Sequence, residues 1–167
     1  MADSKPEVIG VPELRAAFAE LRGADRGARV VVVAGGRVLK VEAKRLADTA
    51  GLRRTGAMID NIVIKREKTP AGSGVAEYHL GVRHGHSMTR KQRKESGKRL
   101  AISKRSGRIV TRYENDPWYW RFQHFGTKHL QANPFLSQAL ENKRTEALTA
   151  MQKAALRELM RQRRRAR

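Results

Sequence analysis

Between Arg83 and Arg112 the chain carries eleven Lys and Arg residues against Glu95 alone, a density of like charge that no core can bury. The fold therefore has to be assembled from what flanks this segment. A second basic block closes the sequence, with six arginines against Glu158 from Arg157 to Arg167. The two blocks hold a net fifteen of the formal charge of +20, so the remaining residues have an ordinary balance. With 167 residues, 40% of them hydrophobic, the chain suits one modest domain over residues 1–156, with a basic insertion at about 83–112 and an arginine-rich tail at 157–167. Cys is absent, which excludes disulfides, thiolate chemistry and Cys-based zinc or iron–sulfur sites. The first ten residues contain Asp3 and Glu7 and no apolar stretch, and the longest aliphatic run is Val30 to Ala34. Neither a secretion signal nor a membrane span is expected.

Like charges repel along a chain until a polyanion neutralises them. Gly85, Ser87, Ser96, Gly97, Ser103, Ser106 and Gly107 make the insertion read as a flexible basic loop aimed at phosphates or an acidic partner surface, rather than one that is merely solvated. For the tail two readings stay open, polyanion contact and complementation of a helix C-terminus by Arg side chains.

Pro12 and Glu13 mark a helix start, followed by Leu14, Ala17, Phe18 and Leu21 at helical spacing, with Gly23 ending it. The next run, VVVVAGGRVLKV, fits either a hairpin turning at Gly35-Gly36 or the first half of a long helix. Its continuation VEAKRLADTA is strongly helical and no breaker separates the two, which predicts one helix from about Arg26 to Thr49 with the glycine pair as its weak point. Ile62 and Ile64 alternate with Asn61, Val63 and Lys65, and Ala76, Tyr78, Leu80 and Val82 alternate with polar neighbours beyond a turn at residues 69–74; the two runs predict an antiparallel pair. Trp118, Trp120 and Phe122 alternate with Tyr119, Arg121 and Gln123, which predicts a third strand with a buried aromatic face. Asn133-Pro134 precedes a terminal helix with a stripe of Leu136, Leu140, Ala147, Met151, Ala155 and Leu159. The expected class is α+β: a small antiparallel β-sheet packed by a long helix and a C-terminal helix, with the basic insertion loop between strands.

A search for chemistry finds little. His84 and His86 have a spacing that resembles metal ligation, but no third ligand lies nearby and the surrounding cationic loop repels a divalent cation. His79, His124 and His129 are isolated. Asp60, Glu67, Glu77, Glu114 and Asp116 show neither dyad nor metal-cluster spacing, and no phosphate-loop, dinucleotide or hydrolase motif is present. No catalytic residue, cofactor or metal is expected. Trp118-Tyr119-Trp120 with Arg121 could be read as a base-stacking platform for single-stranded nucleic acid, but the alternation favours a buried cluster.

The run YWRFQHFGT, from Tyr119 to Thr127, followed by Ala132, Pro134, Phe135, Leu136, Ala139 and Leu140, resembles the signature of the lambdoid-phage tail-component family, the gene-product-ten-like phage morphogenesis proteins. VLKVEAKRLA, then Arg54-Thr55-Gly56-Ala57-Met58 and the strand at Asn61 to Lys65, are similar to that family's long helix, TG turn and first strand; the likeness covers about Val11 to Met151. Two positions depart from the family pattern, His124 where it usually has Glu, and Gln138 where it usually has Pro. The resemblance implies a structural virion protein of the neck or tail of a long-tailed bacteriophage, acting in tail completion or head-to-tail joining. It implies a homo-oligomeric ring, six-fold or a multiple of it, assembled in the host cytoplasm beside connector, tail-tube and terminator proteins, with packaged double-stranded DNA as a further partner and no membrane contact. It carries Thr55, Gly56, Phe125, Gly126, Thr127, Pro134 and Phe135 as structural positions, the last five fixing the junction between the last strand and the terminal helix. The residues expected to meet DNA phosphates or an acidic partner are Arg90, Lys91, Arg93, Lys94, Lys98, Arg99, Lys104, Arg105 and Arg108. The alternative is a basic, sequence-nonspecific nucleic-acid-binding protein.

Overall fold

The computed structural model describes residues 24–68, 75–95 and 97–166. The helix expected from Pro12 to Leu21 and the turn at residues 69–74 lie outside them. The described elements are α1 (Ala24–Thr49), α2 (Ala57–Asp60), β1 (Ile62–Arg66), β2 (Tyr78–Val82), a 3-10 turn (Gly85–Ser87), α3 (Arg90–Glu95), β3 (Lys98–Ile102), β4 (Ile109–Tyr113), α4 (Trp120–Phe125) and α5 (Phe135–Ala166). The class is α+β: two small antiparallel two-stranded sheets with one long helix at each end of the described chain.

The long stretch after Arg26 is a single 26-residue helix and not a hairpin. Gly35-Gly36 does not break α1; it is where other elements come closest. A Cβ at Gly35 would lie 2.7 Å from Met151 Cγ and 3.2 Å from the Ala147 carbonyl oxygen on α5, and one at Gly36 would lie 3.0 Å from Ile64 Cγ2 on β1. Many of the other buried side chains on the two helices are also small: Ala43 and Ala47 on α1, Ala139, Ala147 and Ala155 on α5. Val31 packs with Ala155 near the start of α1, and Ala43 and Ala47 share a cluster with Phe135 and Ala139, so the helices run antiparallel. α1 ends in a Schellman motif. Gly51, at φ +69°, donates to the Asp48 carbonyl and Leu52 donates to the Ala47 carbonyl, while Leu52 packs onto the core.

The main core lies where the C-terminal half of α1 meets α2, the first hairpin and the start of α5, and joins Met58, Ile59, Ile62, Val82 and Phe135 to the small residues of the helix pair. β1 and β2 pair with Ile62 opposite Val82 and Ile64 opposite Leu80, as their alternation predicts. Glu42, almost fully buried on α1, accepts from Arg45 Nε and Nη2 at 2.9 and 2.7 Å and from Asn142 Nδ2 of α5 at 3.4 Å. The Arg45 hydrogen bonds outweigh burial and hold its carboxyl down at about 2. At the other end of the pair Glu158, also buried, accepts from Arg161 and Gln162.

Three expectations need correction. First, Trp118 to Phe122 is not a strand: Tyr119 and Trp120 enter a short helix, α4, whose first turn has Trp120 N–H donating to the buried Pro117 carbonyl and which Gly126 ends at φ +77°. A segment this short satisfies both periods, because Trp118 and Phe122 are neighbours on a helix as well as on one face of a strand. Second, the aromatic face is not core. Trp118 is 60% exposed and Phe122 and Phe125 also face outward, while the buried rings of this region are His124 and Phe135. Third, the insertion is not a flexible loop but the folded sequence α3, β3, β4. The α5 stripe also changes phase: Leu140 is 52% exposed, and Phe135 and Ala139 carry the first turns. Lys143, at φ −118° and ψ 15°, kinks the helix between that portion and the one bearing Ala147, Met151 and Ala155. The segment rich in arginine continues α5 through Ala166.

The glycine contact gives a direct test of the packing. Gly35→Leu improves helix propensity by up to ~1 kcal/mol but drives a side chain into Met151 and Ala147, so chemical denaturation should show a net loss of about 2 kcal/mol. Met151→Ala in the same chain opens the space the new side chain needs and should recover part of that loss.

Candidate functional site

The insertion is held to the body by hydrogen bonds. At its start, Gly85 N–H donates to Asp116 Oδ1 at 2.9 Å, bringing together residues that flank the whole basic segment. Thr89 and Gln92 then form a capping box on α3: Thr89 N–H donates to Gln92 Oε1 at 2.9 Å and Gln92 N–H donates to Thr89 Oγ1 at 3.3 Å. The same Gln92 donates through Nε2 to Asn61 Oδ1 at 2.7 Å, and Asn61 is buried between α2 and β1 with its Nδ2 donating to the Ala57 carbonyl. This short helix is therefore positioned by polar contacts, its cap and the Gln92–Asn61 bond among them, rather than by an apolar face; it has no buried residue.

Beyond Gly97, at φ +69°, β3 and β4 form an antiparallel hairpin closed at its base by Glu114 N–H donating to the Gly97 carbonyl. Its turn has Ser103 N–H donating to the Arg108 carbonyl, Gly107 N–H donating to the Ser103 carbonyl, and Gly107 at φ +64°. Opposed residues in an antiparallel pair share a face. One face thus bears Leu100, Ile102 and Ile109 beside Lys98, Thr111 and Tyr113, and the other bears Arg99 opposite Arg112 and Ala101 opposite Val110. The three aliphatic side chains are 65 to 74% exposed, and no other described element packs extensively on this hairpin.

The predicted contact residues are spread along this arm: Arg90, Lys91, Arg93 and Lys94 on α3, Lys98 and Arg99 on β3, Lys104, Arg105 and Arg108 at the tip. All are exposed except the half-buried Arg93. Among the described residues Lys91 has a carboxylate partner, Glu95 at 3.7 Å, whereas Arg90, Lys94, Lys98, Arg99, Lys104, Arg105 and Arg108 have none within ion-pair distance. The arm is a surface on which most of these cations have no carboxylate partner among the described residues. Another concentration of arginines arises on the helix pair, where Arg29 and Arg37 of α1 line a groove of about 420 Å³ with Arg157 and Arg161 of α5.

Of the structural positions, Gly56 takes φ +78° ahead of α2, and the Thr55 hydroxyl lies 3.4 Å from the Ala57 amide. Gly126 is fixed by close backbone approach: a Cβ there would meet Ala132 N and the Leu130 carbonyl oxygen, both at 2.9 Å. Thr127 pairs with Leu130 across the loop that follows, Pro134 accepts the first turn's hydrogen bond from Gln138, and Phe135 is fully buried. The motif joins α4, not a strand, to α5. Phe125 faces outward, and His124 sits inside at 5% exposure against the rings of Trp120, Phe125 and Phe135, its Nδ1 without a partner. Burial pushes its pKa below the ordinary imidazole value, so the neutral ring is the one the core accepts.

Among the described residues no group of three or more His, Asp or Glu side chains is placed to hold a metal ion, and no helix is long and apolar enough to cross a membrane. The Thr89-to-Gln92 box and the β-branched run Ile109-Val110-Thr111 were signals in the sequence that the charge density obscured. No family model, curated protein or solved structure matches the chain.

Thr89→Ala removes the cap on which α3 depends, at a local cost of ~1 kcal/mol. Trypsin should then cut between Arg90 and Lys94 about fivefold faster, with the thermal midpoint falling by no more than ~4 °C.

Proposed function

We propose that the chain is a structural subunit of the neck or tail of a long-tailed bacteriophage, and that identical copies close into a ring, six-fold or a multiple of it, around the DNA conduit. The observation that carries this reading is the second hairpin, whose Leu100, Ile102 and Ile109 face is left uncovered by the rest of the described chain. A two-stranded hairpin with an apolar face in water is marginal by itself, and exposed apolar patches on soluble proteins mark contact surfaces. A head-to-tail contact of this kind generates closed rings when its rotation closes. The resemblance of the Tyr119–Thr127 and Ala132–Leu140 motifs to phage tail components supports the same reading and supplies its place in the virion. In such a ring the opposite, basic face of the arm meets duplex phosphates or an acidic connector, tail-tube or terminator surface without base readout. The subunit carries out no reaction of its own.

The excess positive charge of the arm favours one second reading, a basic nucleic-acid-binding protein that acts as a monomer. Solution mass across a concentration series, with and without duplex DNA and at raised salt, separates them. A closed oligomer is expected without DNA, and Ile102→Lys with Ile109→Lys should hold the chain monomeric with its helical circular dichroism intact. A wild-type monomer that binds duplex in a salt-sensitive way would transfer the assignment to the second reading, and a monomer that does neither would overturn both.

A further inference from the structure

At the base of the second hairpin, where β4 runs into the turn before α4, a half-open cleft of about 660 Å³ is lined by Arg99, Arg112, Tyr113, Glu114, Asp116 and Trp118. From this cleft we infer a site for an unpaired nucleotide of a single nucleic-acid strand, with phosphate on the Arg99–Arg112 pair and the base against Trp118. The site stands on the cleft's own side chains, whether or not copies of the chain assemble.

Arg99 and Arg112 are directly opposed across β3 and β4. Like charges in that register repel, and neither guanidinium has a carboxylate within ion-pair distance among the described residues. An anion bridging the two forks removes the repulsion and gains charge-assisted hydrogen bonds, with the planar geometry that suits phosphate. Trp118 brings the second component. Its indole is 60% exposed, yet edge-on contacts with Tyr119 before α4 and Phe122 within it, at ring-centroid distances of 6.3 and 5.8 Å, support it. A large aromatic surface held open to solvent beside a phosphate site is the combination that binds single strands, because every base offers a face to stack.

The two carboxylates decide between anionic ligands. Asp116 Oδ1 already accepts from the Gly85 amide, and Glu114 lies over Gly97, where a Cβ would come within 3.2 Å of its Oε2. Glu114 has no hydrogen-bond donor among the described side chains and is free to accept from the N–H edge of a base, as acidic side chains do from the amino group of cytosine. An acidic peptide would leave Trp118 without a role and bring its own carboxylates against Glu114 and Asp116. A duplex keeps its bases stacked inside and has none to offer the indole. An unpaired nucleotide uses all three parts of the cleft.

The test uses the full chain and a fluorescent mixed-sequence strand of about 12 nucleotides, a length within the usual single-strand site size, alongside the duplex it forms with its complement. Trp118→Ala should weaken strand binding about tenfold while changing duplex binding less than about twofold, and Trp118→Phe should retain most of the affinity. Arg99→Gln with Arg112→Gln should lower the slope of log affinity against log salt by about 1.4 for the strand, two phosphate contacts at about 0.7 each. Trp118 is a surface residue, so unchanged circular dichroism and thermal midpoint confirm that the variants fold. Equal losses on strand and duplex, or none on either, would overturn the site. So would competition by polyglutamate that is indifferent to the residue at position 118, which would make the arm a dock for an acidic protein.

Discussion

Everything in this fold depends on how closely α1 and α5 approach. Gly35, Ala43 and Ala47 on one helix and Ala139, Ala147 and Ala155 on the other supply most of the contact, with Met151 seated on Gly35 and Val31 on Ala155. Small residues at a helix crossing shorten the interaxial distance and put dispersion contacts between backbone atoms themselves. The rest of the body is built onto that pair. Ile64 reaches Gly36 from the first hairpin, and Met58, Ile59 and Phe135 fill the open end where α2 and the hairpin meet the helices. The buried carboxylates Glu42 and Glu158 each pair with an arginine three residues on, and Glu42 also accepts from Asn142 across the pair. Such groups are tolerated because their hydrogen bonds are made.

The basic arm follows different physics. Its excess of like charge opposes its own order, and hydrogen bonds hold its shape: the Thr89–Gln92 cap, the Gln92–Asn61 tie, the Gly85–Asp116 clasp and the ladder of β3 with β4. These contacts present the cations outward on a defined surface. The same ladder divides the arm into an apolar face and an arginine face, and the two proposals made for this protein, assembly through one and strand binding beside the other, use opposite sides of one hairpin.

Where a periodic pattern was long, the sequence was informative. α1 and α5 were legible because their spacing persists over many turns, and β1–β2 because alternation and register agree. The segment Trp118–Phe125 was not, since six helical residues fit two periods and the burial that would separate them is a tertiary property. The kink at Lys143, and the burial of Ala139 instead of Leu140 before it, leave no mark in composition. In the insertion, charge density masked a capping box and a β-branched strand that were present in plain form. The cleft was beyond reach altogether: its pieces come from β3, β4 and the turn before α4, and only the hairpin register sets Arg99 against Arg112.

The central claim is that the basic arm is a folded, anchored element on a tightly packed helix pair. Amide hydrogen exchange of the isolated chain at neutral pH tests it most directly. Protection along α1 and α5 should approach that of global unfolding, with measurable protection on the cross-strand amides of β3 and β4 and on Arg93, whose N–H donates to the Thr89 carbonyl. Unprotected exchange across residues 90–113 beside a protected helix pair would contradict it and return the arm to a loop that takes shape only against a partner.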